Sequence, residues 1–240
     1  MSRVRGNDER EFDTTQLREN GRGTVIHRDY IAHVMRWGFA RRMITNQDEV
    51  LEVGCGQDTP LLKVMSIYAS TYPKRYVGVD LNKPIGRTAT RAWATLHWGF
   101  NFIKDHKKLG GGFTKAVSFE VIEHMQKASG GKLLKGIYGQ LRPGGQLFLS
   151  TPVFNGKFQA KVHIHEYTID ELKQSITKAG FKIQARYGTF MNINDVKKAR
   201  PEHRQVCDAL RCYYADDVLA TFLAPLYPDL SRNNFWVLSK

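Results

Sequence analysis

The sequence of 240 residues contains no apolar run approaching the roughly 20 residues that a membrane-spanning helix needs. Its opening residues, MSRVRGNDEREFDTTQLRENGRG, are polar and lack the apolar core of a secretory signal peptide. Cysteine is scarce, and the three that occur, Cys55, Cys207 and Cys212, lack the spacing of a zinc site. We therefore expect a cytoplasmic protein with free thiols and no membrane partner.

Acidic residues are relatively few: the sequence has 23 Asp and Glu and 36 Lys and Arg, which gives a net charge of +13. Such a balance favours encounter with polyanions such as nucleic acid, although it also serves general solubility. The basic residues are spread along the chain and form no basic tail. The charge by itself therefore leaves both interpretations open.

No internal repeat or low-complexity block divides the chain, and we predict one domain over residues 27–240. Residues 1–26 are charged and lack periodicity, which predicts a flexible segment. Within the domain we expect a helical cap at 27–47, a ligand-binding core at 48–187, and a C-terminal part at 188–240 that closes the sheet after an insertion. The charged insertion either recognises a substrate or is a surface helix.

The cap helix is predicted over residues 27–44, because apolar side chains recur three and four residues apart. The same helix carries Arg36, Arg41 and Arg42. These arginines indicate either a substrate-facing surface or the solvated side of a helix that packs on the core.

From residue 49 onward, short apolar segments alternate with longer amphipathic ones. Strands are predicted in EVLEVGCG, RYVGVDLN, FNFIKD, KAVSF, QLFLSTP, KIQARYG and NNFWVLS. Helices are predicted in TPLLKVMSIYAS, RTATRAWATLHWG, GGKLLKGIYGQL and TIDELKQSITKAGF, the last begun by Thr168 and ended at Gly180. This alternation predicts an α/β domain with a mostly parallel sheet.

The segment VLEVGCGQDTPLL, residues 50–62, leaves the first predicted strand through Glu52 into Gly54 and Gly56. Glycine lets the backbone approach a ligand, and open α/β sheets bind ligands at the carboxyl ends of their strands. Asp80 ends the second strand, where a carboxylate accepts the hydroxyl groups of a ribose. The third glycine of a dinucleotide-binding turn is missing, which favours a nucleoside without a diphosphate.

Five motifs, LEVGCGQ, GVDL, FIKD, FEVIEH and LRPGGQLFLSTP, follow one another within residues 48–187. Together they resemble the class I S-adenosylmethionine-dependent methyltransferases. The resemblance implies a Rossmann-like three-layer sandwich around a mostly parallel seven-stranded sheet whose last strand is antiparallel. It implies S-adenosylmethionine as the cofactor, bound by Glu52, Gly54, Cys55, Gly56, Asp80, Asp105 and Phe119. We interpret Cys55 as a packing residue, and Asp105 is alternatively part of a solvated charge cluster, KDHKK.

Missing motifs disfavour two acceptor types. The chain has neither the Pro-Pro-aromatic motif of amino-group DNA methyltransferases nor the Pro-Cys nucleophile of cytosine methyltransferases. EVIEH followed by STP and HIHEYT is similar to small-molecule O-methyltransferases and to small-RNA 3′-end 2′-O-methyltransferases. The RNA group holds a divalent metal through E-x-x-E-H and a later histidine, here Glu120, Glu123, His124 and His163, but its Phe-x-Pro-Pro element is not found.

We favour a metal-free site with Glu123, His124 and His163 as catalytic residues and His163 or His165 as general base. The resulting expectation is an S-adenosylmethionine-dependent methyltransferase that acts on a hydroxyl of a small molecule or of nucleic-acid ribose. An inactive, methyltransferase-like nucleic-acid-binding or virion-associated protein is the alternative, and the complete glycine turn with Asp80 argues against it. The missing third glycine disfavours an NAD-dependent oxidoreductase. The oligomeric state does not follow from the sequence.

Overall fold

A seven-stranded sheet lies at the centre of the computed structural model, which describes residues 28–67, 72–84, 91–157 and 159–240. The strands are β1 Glu49–Val53, β2 Arg75–Asp80, β3 Ala94–Trp98, β4 Phe113–Phe119, β5 Leu141–Pro152, β6 Lys182–Met191 and β7 Ser231–Ser239. Their order is β3-β2-β1-β4-β5-β7-β6. Strands β1 to β5 pair in parallel, and β7 is antiparallel to both β5 and β6. The predicted fold class is therefore confirmed.

Eight α-helices are described: α1 Arg28–Met43, α2 Pro60–Met65, α3 Phe102–Asp105, α4 Lys127–Gln140, α5 Ile169–Lys178, α6 Ile193–Val196, α7 Pro201–Leu210 and α8 Asp216–Leu223. Short 3₁₀ helices cover His106–Leu109, Ile122–His124 and Ala224–Leu226. Among the residues described, no helix combines the length and apolar character that crossing a bilayer requires. The predicted flexible segment 1–26 lies outside the described residues.

Separate hydrophobic clusters cover the two faces of the sheet, because successive side chains of a strand point to opposite faces. In β1, Leu51 belongs to the cluster that includes apolar residues of α3, α4 and α5. Its neighbour Val50 belongs to the cluster that includes apolar residues of α1 and α2. The insertion between β6 and β7 has its own cluster, built around Met191, Leu219 and Ala220. The result is the expected three-layer sandwich with a helical insertion.

The prediction for residues 87–105 is wrong. The segment predicted as a helix contains β3, which pairs with β2 from Tyr76↔Ala94 to Asp80↔Trp98; its residues 87–90 lie outside the described part. FNFIKD, predicted as the third strand, instead contains α3, begun by Asn101, whose side chain accepts a hydrogen bond from the Lys104 backbone N–H. The edge strand β3 is only partly buried, so its sequence lacks the continuous apolar character of an inner parallel strand.

Helix α5 begins as predicted at Thr168. The Thr168 hydroxyl accepts a hydrogen bond from the Glu171 backbone N–H, and the Glu171 carboxylate accepts one from the Thr168 N–H. This reciprocal pair is a capping box, which satisfies two backbone donors at the helix start. It fixes the start of α5, three residues after His165.

Candidate active site

The glycine turn follows β1 at the carboxyl edge of the sheet. Gly54 and Gly56 have φ of +79° and +68°, in the left-handed region that favours glycine. The backbone N–H groups of Gly54 and Cys55 donate to the Val79 carbonyl at 2.9 and 3.2 Å. A Cβ on Gly54 would lie 2.2 Å from Cγ2 of Val121. Gly54 is therefore required both by its backbone conformation and by the closeness of the loop after β4.

Asp80 is buried at the end of β2 and holds two loops together. One carboxylate oxygen accepts a hydrogen bond from the Gly56 N–H at 2.8 Å, and the other accepts one from the Asn82 N–H at 2.8 Å. Burial raises the pKa of Asp80, and these two hydrogen bonds oppose the rise. The carboxylate is thus fixed beside the glycine turn.

Glu52 and Cys55 are also buried, but neither belongs to the described residues that line the adjacent cavity. Tyr76 donates a hydrogen bond from its hydroxyl to Glu52. Burial raises the pKa of Glu52 to about 8, against the opposing effect of that hydrogen bond. Burial likewise raises the pKa of the Cys55 thiol, which fits a packed thiol rather than a nucleophile.

A cavity opens at the carboxyl ends of β1, β2 and β4, where open α/β sheets bind ligands. Its described lining comprises Val53, Gly54, Val79, Asp80, Leu81, Asn82, Phe100, Asn101, Phe102, Ile103, Glu120, Val121, His124, Met125 and Leu133. One wall is therefore apolar, while Asp80, Glu120 and His124 contribute the ionisable groups. This composition suits a ligand with a flat apolar part and a polar ribose-like part.

Two predicted cofactor residues, Asp105 and Phe119, lie elsewhere than the cavity wall. Asp105 ends α3 and pairs with Lys108 at 2.6 Å, as the charge-cluster alternative supposed. Phe119 is buried against Phe235, with ring centroids 5.5 Å apart. Because β3 ends at Trp98 rather than near Asp105, the residues that follow the third strand into the cavity are Phe100 and Asn101.

Glu120 follows β4 with φ of +56°, which is uncommon for a residue with a side chain. Its carboxylate accepts hydrogen bonds from the Ser150 hydroxyl and the Asn233 amide, both at 2.6 Å. The buried guanidinium of Arg36, on α1, lies 3.8 Å away. Burial alone would raise the pKa of Glu120, but Arg36, followed by His33 and the hydrogen bonds, lowers it below its usual value. Three distant parts of the chain thus hold one ionised carboxylate.

Replacing Arg36 by methionine is expected to lower the free energy of unfolding at pH 7 by on the order of 3 kcal/mol, because it leaves the Glu120 carboxylate without its counter-charge. The folded-state pKa of Glu120 is lowered, so this contribution is present above its unfolded-state pKa and is lost as pH falls through its folded-state value. Denaturant unfolding at several pH values measures the difference. Exposed Arg42→Met on the same helix is the matched control and should change stability by less than about 0.5 kcal/mol. Equal losses in both variants would contradict the pairing.

Glu123, His124 and His163 come together beside the cavity, with one ligand atom from each lying within 4.8 Å of the others. Nδ1 of His124 lies 3.2 Å from the Val162 carbonyl oxygen and therefore donates to it. Nδ1 of His163 lies 2.6 Å from the Glu166 carboxylate. In a neutral ring, both bonds leave the lone pair on Nε2.

Burial raises the pKa of Glu123 to about 8, and the nearby charge of Glu120 adds to the rise. One Glu123 oxygen accepts a hydrogen bond from Thr151 at 3.1 Å, while the other is buried with no hydrogen-bond partner in the described part of the chain. Burial lowers the pKa of His163, but the hydrogen bond with Glu166 and the charge of Glu123 outweigh it, so the net shift is upward. The Glu123 carboxylate, with one oxygen unpartnered among the described residues, is therefore suited to hold a proton or a cation.

The four residues that the sequence offers as an alternative metal set are only partly assembled. Three members meet, whereas Glu120 is bound by Ser150 and Asn233 and does not belong to the group. His165 lies apart from this group, with its ring against Tyr167 at 4.5 Å between centroids and its Nε2 3.9 Å from Glu171. The structure therefore favours His163 over His165 as the histidine that acts with His124.

The family of the chain follows from comparison with known proteins. A family model described as a methyltransferase domain matches residues 26–186, two thirds of the sequence. The chain therefore belongs to the S-adenosylmethionine-dependent methyltransferases of class I, as its motifs indicate, and S-adenosylmethionine is its cofactor. A search of curated protein sequences finds no significant match.

Solved structures share the fold at low sequence identity. An S-adenosylmethionine-dependent methyltransferase from Archaeoglobus fulgidus superposes with a TM-score of 0.58 at 13% identity, covering 89% of this chain and 95% of that one. The methyltransferase domain of a bacterial protein, CtHen1-CN, gives 0.57 at 18% identity, covering 87% and 100%. A Haemonchus contortus phosphoethanolamine N-methyltransferase, solved with phosphomonomethylethanolamine and S-adenosylhomocysteine, gives 0.55 at 16% identity, covering 86% and 53%.

Proposed function

We propose that this methyltransferase transfers the methyl group of S-adenosylmethionine to a hydroxyl oxygen of its acceptor, bound at Glu123, His124 and His163. The observation that carries the proposal is the convergence of these side chains within 4.8 Å, beside a cavity that His124 also lines. A hydroxyl is a poor nucleophile until its proton is removed, and this cluster offers the groups that remove it.

The cavity residues fit the cofactor. Asp80 accepts one backbone hydrogen bond on each oxygen, and its remaining lone pairs are available to ribose hydroxyls. Gly54 lines the cavity, and the amino-acid end of the cofactor would lie beside it. Asn101 and the apolar side chains of Phe100 and Ile103 line the remaining wall and suit an adenine ring. These residues bind and orient the cofactor.

His163 is assigned as the base that takes the hydroxyl proton. Its Nδ1–H is held by Glu166, so Nε2 of the neutral ring is the acceptor. The carboxylate of Glu166 also stabilises the imidazolium that forms, which is why the pKa of His163 is raised although burial acts against it. His124, oriented by the Val162 carbonyl, positions the hydroxyl between the cavity and the base.

The same three side chains also fit a divalent ion. They offer one carboxylate and two imidazoles, and Thr151, Val162 and Glu166 hold the atoms that would not coordinate. When bound, such an ion would lower the pKa of the acceptor hydroxyl. Calorimetric titration with Mn²⁺ or Zn²⁺, compared between the native protein and His163→Ala, measures ion binding without relying on activity.

The acceptor class is tested by incubating the protein with tritiated cofactor and separate RNA, DNA, protein and metabolite pools. Labelled methyl groups that are found on oxygen, and not on nitrogen or sulfur, in RNA or in a metabolite support the proposal. Label in protein or in base amines would contradict it. A chelator that abolishes labelling selects the ion-assisted version, and a chelator without effect selects the metal-free base. Failure of S-adenosylhomocysteine to raise the melting temperature would instead favour an inactive binding protein.

His163→Ala is expected to lower the rate of labelling by about 10²- to 10⁴-fold, the usual contribution of a general base. A base works in its neutral form, so activity should rise with pH through the raised pKa of His163. Glu166→Gln removes the charge that helps to raise this pKa and should shift the acidic limb of the pH profile to lower pH. Asp170→Asn, a change at an exposed acid nearby, should leave the limb in place. An unmoved limb in Glu166→Gln would contradict the assignment.

A further inference from the structure

Helix α4 presents an unusual solvent side. Its exposed positions are occupied only by lysine or small residues, namely Lys127, Ala128, Lys132, Lys135 and Gly139. The sequence between Glu123 and Glu166 contains no acidic residue. A typical exposed helix places acids three or four residues from its lysines. Helix α4 therefore carries a positive charge that its own sequence does not balance.

The segment packed beside α4 adds further lysines. Exposed Lys104 and Lys107 are three residues apart in α3 and the 3₁₀ helix that follows it. A Cβ on Gly136 of α4 would lie 3.0 Å from the Phe102 ring and 3.5 Å from the His106 ring. Lys132 lies one helical turn before Gly136, on the side of α4 that packs against this segment, so the two lysine-bearing segments meet at one surface.

This surface, which we call the lysine face, consists of Lys104, Lys107, Lys132 and Lys135. Within the ranges that the structure describes, none of these four has an ion-pair partner. Lys108 and Lys127, by contrast, are paired with Asp105 and Glu171. Four like charges on adjacent segments repel one another, and a polyanion that binds there relieves the repulsion.

We propose that the lysine face binds the phosphate backbone of a nucleic acid. The four ammonium groups are spread over two segments and converge on no pocket, which suits a polymer of phosphates better than a single phosphate. A lipid surface is less well matched, because membrane-binding helices insert aromatic or leucine side chains, and the exposed positions of α4 carry none. The proposal concerns a binding surface and does not depend on O-methylation at His163.

The elements that carry the lysine face also line the cofactor cavity, through Phe102 and Ile103 of α3 and Leu133 of α4. A nucleic acid held there would lie beside the site of methyl transfer. This location differs from the arginines of α1, considered as a substrate-facing surface from the sequence, because Arg36 is buried against Glu120.

The test compares two four-lysine variants of the full chain. The first is Lys104→Glu/Lys107→Glu/Lys132→Glu/Lys135→Glu. The control is Lys63→Glu/Lys178→Glu/Lys182→Glu/Lys197→Glu, which changes net charge equally at exposed lysines on other surfaces. Fluorescence anisotropy with a labelled single-stranded RNA is measured over a salt series. S-adenosylhomocysteine binding and circular dichroism report whether each variant is folded.

The lysine-face variant should lose at least tenfold more affinity than the control. The slope of log K against log salt should decrease by about 3, since each phosphate contact on a single strand contributes about 0.7. Equal losses in both variants would overturn the proposal and leave net charge as the explanation. A selective loss of binding to acidic vesicles or polyglutamate, with RNA binding retained, would also overturn it. If the four-glutamate variant does not fold, the milder Lys132→Gln/Lys135→Gln variant replaces it. The expected decrease in the slope of log K against log salt is then half as large.

Discussion

Asp80→Ala will weaken S-adenosylmethionine binding by more than tenfold. The substitution removes the carboxylate that would hold the ribose, and each hydrogen bond to a charged group contributes about 1.5 to 3 kcal/mol. It also frees the Gly56 and Asn82 N–H groups, which the carboxylate now holds at 2.8 Å. Both the lost ribose hydrogen bonds and the freed loops should weaken cofactor binding, because those N–H groups belong to the loops that border the cavity.

Calorimetric titration with S-adenosylhomocysteine measures the effect of Asp80→Ala, and a melting curve without ligand shows whether the variant is folded. Asp105→Ala is the matched control. It removes another acid that the sequence assigned to the cofactor, but one that pairs with Lys108 and lies outside the cavity wall. We expect its affinity to stay within about twofold of the native value, well under the 1.4 kcal/mol that a tenfold change represents. Unchanged affinity in Asp80→Ala would refute the ribose assignment.

Gly54→Ala will abolish detectable cofactor binding. Its Cβ would approach Cγ2 of Val121 to 2.2 Å, a distance that requires the turn or the loop after β4 to move. Gly54 and Val121 both line the cavity, so either movement changes the space for the cofactor. The positive φ adds a backbone cost of roughly 1 to 2 kcal/mol for a residue with a side chain.

Gly110→Ala separates the two effects of that substitution. Gly110 has φ of +80°, nearly the value at Gly54, but a Cβ there would meet no atom within 4 Å. Both variants should lose similar stability from backbone strain, and only Gly54→Ala should lose binding in the calorimetric titration. Adding Val121→Ala to Gly54→Ala should restore part of the affinity. Native-like affinity in Gly54→Ala alone would show that the segment is merely a turn.

The glycine turn and the position of Asp80 beside the cavity were predictable because their requirements are local. A left-handed turn needs glycine, and a ribose needs an acid at a strand end, so Gly54, Gly56 and Asp80 leave a short, ordered pattern in the sequence. The third strand was misassigned because it lies at the edge of the sheet, where partial burial allows the mixed residues of ATLHW. That error placed the expected adenine contact at Asp105, whereas the structure has Asn101 in the cavity wall.

The acceptor half depends on contacts between distant residues, which leave no local pattern. Arg36 looks like one of several surface arginines of a helix until the fold buries it against Glu120. Ser150 and Asn233 likewise gain their role only when β5 and β7 pair. The resemblance to the RNA methyltransferases therefore grouped Glu120 with Glu123, His124 and His163. In the structure its carboxylate is held by Arg36, Ser150 and Asn233 and does not belong to the cluster of the other three.

The network around Glu120 sets the smallest fragment of the chain that would retain a complete site. Arg36 comes from the first described helix, and Asn233 comes from the last strand, so both ends of the fold close on one carboxylate. A fragment trimmed to residues 26–186, which match the methyltransferase-domain family model, would keep Asp80 and the glycine turn but would lose Asn233 and the strand that separates β5 from β6. A truncated or circularly permuted variant must therefore keep both α1 and β7, although the motifs that identify the family lie between them.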